Sequence, residues 1–143
     1  MPGPDTLVVH VDGGSRGNPG PAAVGAVVAA PDGSVLREEG RYIGETTNNV
    51  AEYRAVLLGL ELAAALGPGR VEVVNDSELV ARQLQGRYRV KNPGLKPLYE
   101  ETLRALRRFG SWSVRNVPRA GNERADSLVN RALDEATARR GAR

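Results

Sequence analysis

Four acids, Asp12, Glu52, Asp76 and Asp126, are the residues through which this chain could do chemistry. None is diagnostic alone. Asp12 stands where the apolar run Thr6–Val11 breaks into "DGGSRGNPGP", which reads either as a wide turn or as bare backbone held close to a ligand. Asp76 follows a second apolar run, Val71–Val74. Glu52 and Asp126 fall in the first turns of predicted helices, where an acid ordinarily compensates the helix dipole. As a set they offer only oxygen donors, and with no Cys in the chain a thiolate site is excluded. Such donors suit a hard cation, Mg²⁺ or Mn²⁺. Two of these ions about 4 Å apart would clamp an in-line phosphoryl displacement, one activating water and the other stabilising the leaving oxygen.

Acids so distant in sequence meet only if the fold gathers them. Thr6–Val11 reads as a strand ending at Asp12, and Ala22–Ala30 as a second strand. The turn Pro31-Asp32-Gly33-Ser34 leads to a hairpin partner over Val35–Ile43. Thr46, Thr47, Asn48 and Asn49 offer N-caps to a helix whose Val50, Tyr53, Leu57, Leu60 and Ala64 recur at helical spacing until Gly67-Pro68-Gly69 stops it. Val71–Val74 is a strand, Ser77–Gln85 a short helix stopped by Gly86, and Leu95–Phe109 an amphipathic helix burying Leu98, Leu103 and Leu106. Ser111–Val117 is a strand holding the one Trp, Trp112, as a core residue. Asn122 to about Thr137 is a last helix, and residues 138–143 read as a basic tail. A hairpin followed by strands alternating with helices implies an α/β layer fold. If the first and fourth strands lie side by side in parallel, Asp12 and Asp76 project from the same edge of the sheet.

The 143 residues suit one domain. Lys and Arg number 20 against 17 Asp and Glu, a net +3, and setting aside four metal-bound acids leaves 20 − 13 = +7. That balance permits a polyanionic partner without naming one. No apolar run approaches a membrane span and no signal peptide opens the chain, so a soluble, cytoplasmic monomer is expected.

The constellation resembles the type 1 ribonuclease H family. The resemblance rests on "VDGGSRGNPGPAAVGAV" around Asp12, "TTNNVAEYRAVLLGLE" around Glu52, "NDSELV" around Asp76 and "NERADSLVNRA" around Asp126, in that order from Thr6 to about Ala136. It implies a ribonuclease H-like fold over residues 1–143, with a core at about 6–137: a five-stranded mixed sheet, antiparallel hairpin plus parallel strands, flanked by helices. It further implies two-metal hydrolysis of the RNA strand of RNA/DNA hybrids, giving 5′-phosphate and 3′-hydroxyl ends. Asp12 would bridge both Mg²⁺ ions, with Mn²⁺ as an alternative; Glu52 and Asp76 would serve the leaving-group metal and Asp126 the metal holding the attacking water. Gly13, Ser15, Asn18, Asn48 and Glu78 would read the RNA strand, Ser15, Thr47 and Asn48 would pocket a phosphate of the DNA strand, and Gly14 would belong to the same substrate-binding turn.

Two departures stand out. The loop before the last acid, "VPRAGNERAD", lacks the His that many members carry there, leaving Arg119 or Glu123 for proton transfer or product release. The chain's one His, His10, reads as a packed strand residue. The inserted basic helix of several relatives is also missing. Arg87, Tyr88, Arg89 and Lys91 remain as a reduced patch for phosphates, so weaker and more salt-sensitive binding is expected. Rival readings are a hybrid-binding module without activity, the same chemistry extended to double-stranded RNA, and an integrase or junction resolvase. The "DGGSRGNPGP" segment argues against the last.

Overall fold

The computed structural model describes residues 5–141. Strands β1 (Thr6–Ser15), β2 (Gly20–Ala29) and β3 (Val35–Thr46) form an antiparallel meander. Strands β4 (Arg70–Asn75) and β5 (Ser111–Asn116) extend it in parallel, giving the order β3-β2-β1-β4-β5. This is the mixed sheet expected, and it puts β1 beside β4 with their carboxyl ends at one edge. The helices are α1 (Asn48–Ala64), α2 (Glu78–Leu84), α3 (Lys96–Leu106) and α4 (Glu123–Gly141).

Alternation along β1 assigns its two faces. Leu7, Val9 and Val11 join Val28, Val71 and Val73 in the main core, which α1 completes with Tyr53, Val56 and Leu60, α2 with Val80 and Leu84, and α3 with Leu106. On the other face Ala23 meets Val129, Ala132 and Leu133 of α4 in a smaller core. Strand β2 is covered on both sides, which is why its apolar run is almost unbroken.

Several details differ from the sequence expectation. β1 does not end at Asp12; it continues to Ser15, pairing Gly13 with Val24 and Ser15 with Ala22, so the turn shrinks to residues 16–19. Gly13 is a strand residue pressed against α1, where an added Cβ would collide with the Ala51 carbonyl oxygen. Thr47 caps α1 by accepting from the Val50 N–H. Within α1, Tyr53 and Leu60 are buried as expected but Leu57 is half-buried and Ala64 exposed, while Ala51, Ala55, Gly59 and Ala63 are buried instead. Lying between the sheet and its helical neighbours, α1 buries a broad face and not a narrow stripe. Leu98, Leu103 and Trp112 pack at the margin of the main core. Helix α4 runs on through Arg139 to Gly141, because "ATARR" is made largely of good helix formers; residues 142 and 143 of the expected tail lie outside the described residues.

Candidate active site

Asp12 belongs to the row of β1 residues that faces α4, and its register partners are glycines: Gly25 on β2, which in turn pairs with Gly40 on β3. Helix α4 lies down on that glycine row. A Cβ on Gly25 would come within 2.5 Å of the Ala125 carbonyl oxygen, and one on Gly40 within 2.7 Å of that of Leu128. Asp126, next to Ala125, is thereby carried to Asp12. On the opposite face the bare backbone of Gly13 admits α1 and, one residue past Ala51, Glu52. Asp76 follows directly on β4, the strand parallel to β1. All four acids line one polar cleft of about 250 Å³, together with Ser15, Asn48 and Arg119.

Crowding has an electrostatic consequence. Burial first, then Asp76 and Asp126 within hydrogen-bonding reach, push the Asp12 carboxyl up to about 8. Burial and the Asp76 charge also raise Glu52, opposed by hydrogen bonds that Ser77 and Asn48 donate to it. Those bonds are short: Asn48 Nδ2 to Glu52 Oε1 at 2.8 Å and Ser77 Oγ to Glu52 Oε2 at 2.9 Å. Asp76 Oδ2 is buried without a hydrogen-bond partner, and the closest cation, Arg119 Nε, stands 3.8 Å away on a side chain that is 82% exposed. Ser15 Oγ, also lining the cleft, is buried and unpartnered as well.

Among the described residues no three His, Cys, Asp or Glu side chains form a ready-made metal cage. The four acids nevertheless share one cleft, and the donor set fits a hard divalent cation. Oxygen ligands only, an orphaned carboxylate oxygen and a carboxyl whose proton is held by burial and then by its acid neighbours are what a bound cation would relieve. An ion such as Mg²⁺ keeps several positions for water or phosphate, so an open cluster suits it better than a closed one.

The remaining candidates are divided by the fold. Ser15 N–H donates to Asn48 Oδ1 at 3.2 Å and Asn48 N–H to Asn18 Oδ1 at 3.0 Å, so Ser15, Asn18, Thr47 and Asn48 form one surface beside the acids, with Gly14 against Asn48. Glu78 opens α2 with an exposed side chain bonded to Arg82 at 3.3 Å. Arg87 lines a separate groove with Arg82 and Arg115, and Arg89 and Lys91 are exposed. Arg119 sits at the mouth of the cleft, whereas Glu123 turns into another hollow of about 430 Å³ with His10 and Arg124. His10 is half-buried there, burial holding its imidazole below the usual range.

Sequence reasoning missed Ser77 and Asn122. Asn122 is 2% exposed and donates its amide at 2.7 Å to the carbonyl of Val11, fastening the segment before α4 to the residue preceding Asp12. Both residues precede helices and read as caps; only tertiary contact shows what else they hold.

Residues 10–132 match a family model described as "Reverse transcriptase-like". The chain is 48% identical over 127 residues to a protein of Halobacterium salinarum named Ribonuclease HI, covering 89% of this chain and 64% of that one. It is 48% identical over 131 residues to a bifunctional protein of Mycobacterium tuberculosis, covering 91% of this chain and 36% of the relative. Among solved structures, an RNase H1 called LC11 in complex with RNA/DNA hybrid superposes with a TM-score of 0.87 at 43% identity, covering 92% of this chain and 99% of that one.

Proposed function

The chain belongs to the type 1 ribonuclease H family, and on that premise we propose that it is an endoribonuclease hydrolysing the RNA strand of RNA/DNA hybrids. The observation that carries the reading is the meeting of Asp12, Glu52, Asp76 and Asp126 in one open cleft, with Asp76 Oδ2 accepting no hydrogen bond. The likeness to a structure solved in complex with RNA/DNA hybrid supports the substrate class.

Asp12, within reach of both Asp76 and Asp126, would be the acid shared between cations, with Glu52, Asp76 and Asp126 completing the set that holds them. Divalent cations held by these four acids would supply Lewis-acid activation of water and charge neutralisation at the leaving oxygen, chemistry that would leave 5′-phosphate and 3′-hydroxyl ends. The protein's share is placement. Ser15, Asn18, Thr47 and Asn48 present amide and hydroxyl groups next to the acids, where an RNA strand is told from DNA by its 2′-hydroxyls. Arg119, an exposed guanidinium at the mouth of the cleft 3.8 Å from Asp76, would steady phosphate or help product leave.

The test compares a labelled hybrid with matching DNA and RNA duplexes, each with Mg²⁺, Mn²⁺ or chelator, and adds DNA duplexes carrying one to six ribonucleotides. The hybrid is expected to be cut and the DNA duplex spared, with cleavage recovering once about four ribonucleotides run together. Equal cutting of DNA duplex and hybrid would overturn the proposal, and cutting of the RNA duplex would widen the substrate to double-stranded RNA.

A further inference from the structure

We propose that Ser77 is a positioning residue of the metal centre, whose single hydroxyl sets the direction of the Glu52 carboxylate. The inference rests on the proposed nuclease reading and concerns a residue outside the four acids. Ser77 follows Asp76 at the end of β4 and stands between two like-charged side chains. Its backbone is fixed first: the Ser77 N–H donates to Asn75 Oδ1 at 3.2 Å, and the residue is extended, with φ −97 and ψ 106, where α2 begins. Its hydroxyl is then used twice. One lone pair accepts the Val80 N–H at 3.3 Å, capping α2, and the one O–H points to Glu52 Oε2 at 2.9 Å. Because a hydroxyl has a single proton, engaging the cap as acceptor leaves that proton for Glu52.

Glu52 is consequently gripped from both sides, with Asn48 Nδ2 on its other oxygen at 2.8 Å. Asn48 is in turn tied to the Ser15 N–H, so that grip belongs to the substrate surface and is open to change when a strand binds. The Ser77 grip belongs to the sheet and helix framework. Removing it leaves Glu52 held only by Asn48 and repelled by Asp76, free to swing from the position at which it would meet a cation. A hydrogen bond to a charged group is among the stronger kinds, so losing its orienting effect should cost about tenfold or more in turnover.

Capping and positioning are separated by choice of substitute. Glycine replaces serine as an N-cap at little loss, alanine does not, and threonine keeps the hydroxyl. The experiment measures kcat and KM on a labelled hybrid, the Mg²⁺ concentration giving half-maximal rate, the melting temperature, and calorimetric Mg²⁺ binding to the resting protein, for wild type, S77G, S77A and S77T. Expected are S77T within about twofold of wild type, and S77G and S77A both lowered about tenfold or more in kcat. Both lowered variants should show weaker Mg²⁺ binding and nearly unchanged KM, although S77G melts close to wild type. Wild-type kcat and Mg²⁺ binding in S77G would overturn the proposal, assigning Ser77 to the cap alone. If wild type itself left hybrids intact, the nuclease reading would fail separately, and the calorimetric comparison would still decide the role of Ser77.

Discussion

Asp12 holds its proton more tightly in the folded chain than out of it, and the sign of that preference can be measured. Its carboxyl is pushed up to about 8, chiefly by burial and then by Asp76 and Asp126, against about 4 when unfolded. Between those values the native state binds more protons, so without metal its stability falls as pH rises from about 4 to about 8. Each pH unit of that window is worth about 1.4 kcal/mol. Asp12→Asn should therefore abolish cleavage while raising the metal-free melting temperature at pH 8, the gain vanishing near pH 4. A pH series of thermal melts with chelator checks this, and a D12N protein melting below wild type at pH 8 would contradict it. The four acids were legible in sequence because each sits in a recognisable local frame, although Asp12 proves to lie inside β1 and Glu52 one turn into α1, not at the ends of those elements. The partners of Glu52 were not, since Ser77 and Asn48 look like ordinary caps until the rest of the chain is folded around them.

The elements approach one another where side chains are missing. Gly13 admits α1 on one face of the sheet, and Gly25 and Gly40 admit α4 on the other, so the distance between Asp12 and Asp126 is set by backbone resting on backbone. Gly25→Ala should lift α4, costing about 1–3 kcal/mol by overpacking and lowering kcat at least tenfold. Thermal melts read the first effect and hybrid cleavage the second; full activity in a destabilised Gly25→Ala protein would separate the helix seat from the chemistry. A second tie is the buried Tyr53 hydroxyl, which donates to Gln83 Oε1 at 2.6 Å and joins α1 to α2. Tyr53→Phe leaves that carbonyl unpaired and should cost about 1–3 kcal/mol in a denaturant titration. Element type and order were readable from periodicity and turn residues. The role of Gly13 was not: its glycine could mean a turn, a ligand or a neighbouring helix, and only the helix some forty residues later decides.

Across the whole molecule, the net +3 is spread so that the acids are gathered in the cleft while Arg82, Arg87 and Arg115 border a groove of their own. The segment carrying Arg87, Arg89 and Lys91 is pegged to the core by the buried side chains of Val90 and Leu95. Replacing the three cations with alanine should thus leave the melting temperature nearly unchanged, raise KM severalfold and flatten its dependence on salt, with kcat preserved. An unchanged salt slope would mean that the segment does not touch the substrate. Composition permitted a polyanionic partner but did not show where the charges would stand, because that depends on how the edge strand β5 is flanked. The seating of α4 also has a temporal meaning. Of the four acids, Asp126 leaves the ribosome last, well after β1 through β5 have been translated, and until α4 docks on Gly25 and Gly40 the centre lacks one carboxylate. A nascent chain therefore carries an incomplete cluster of acids until α4 has been made and has settled on the sheet.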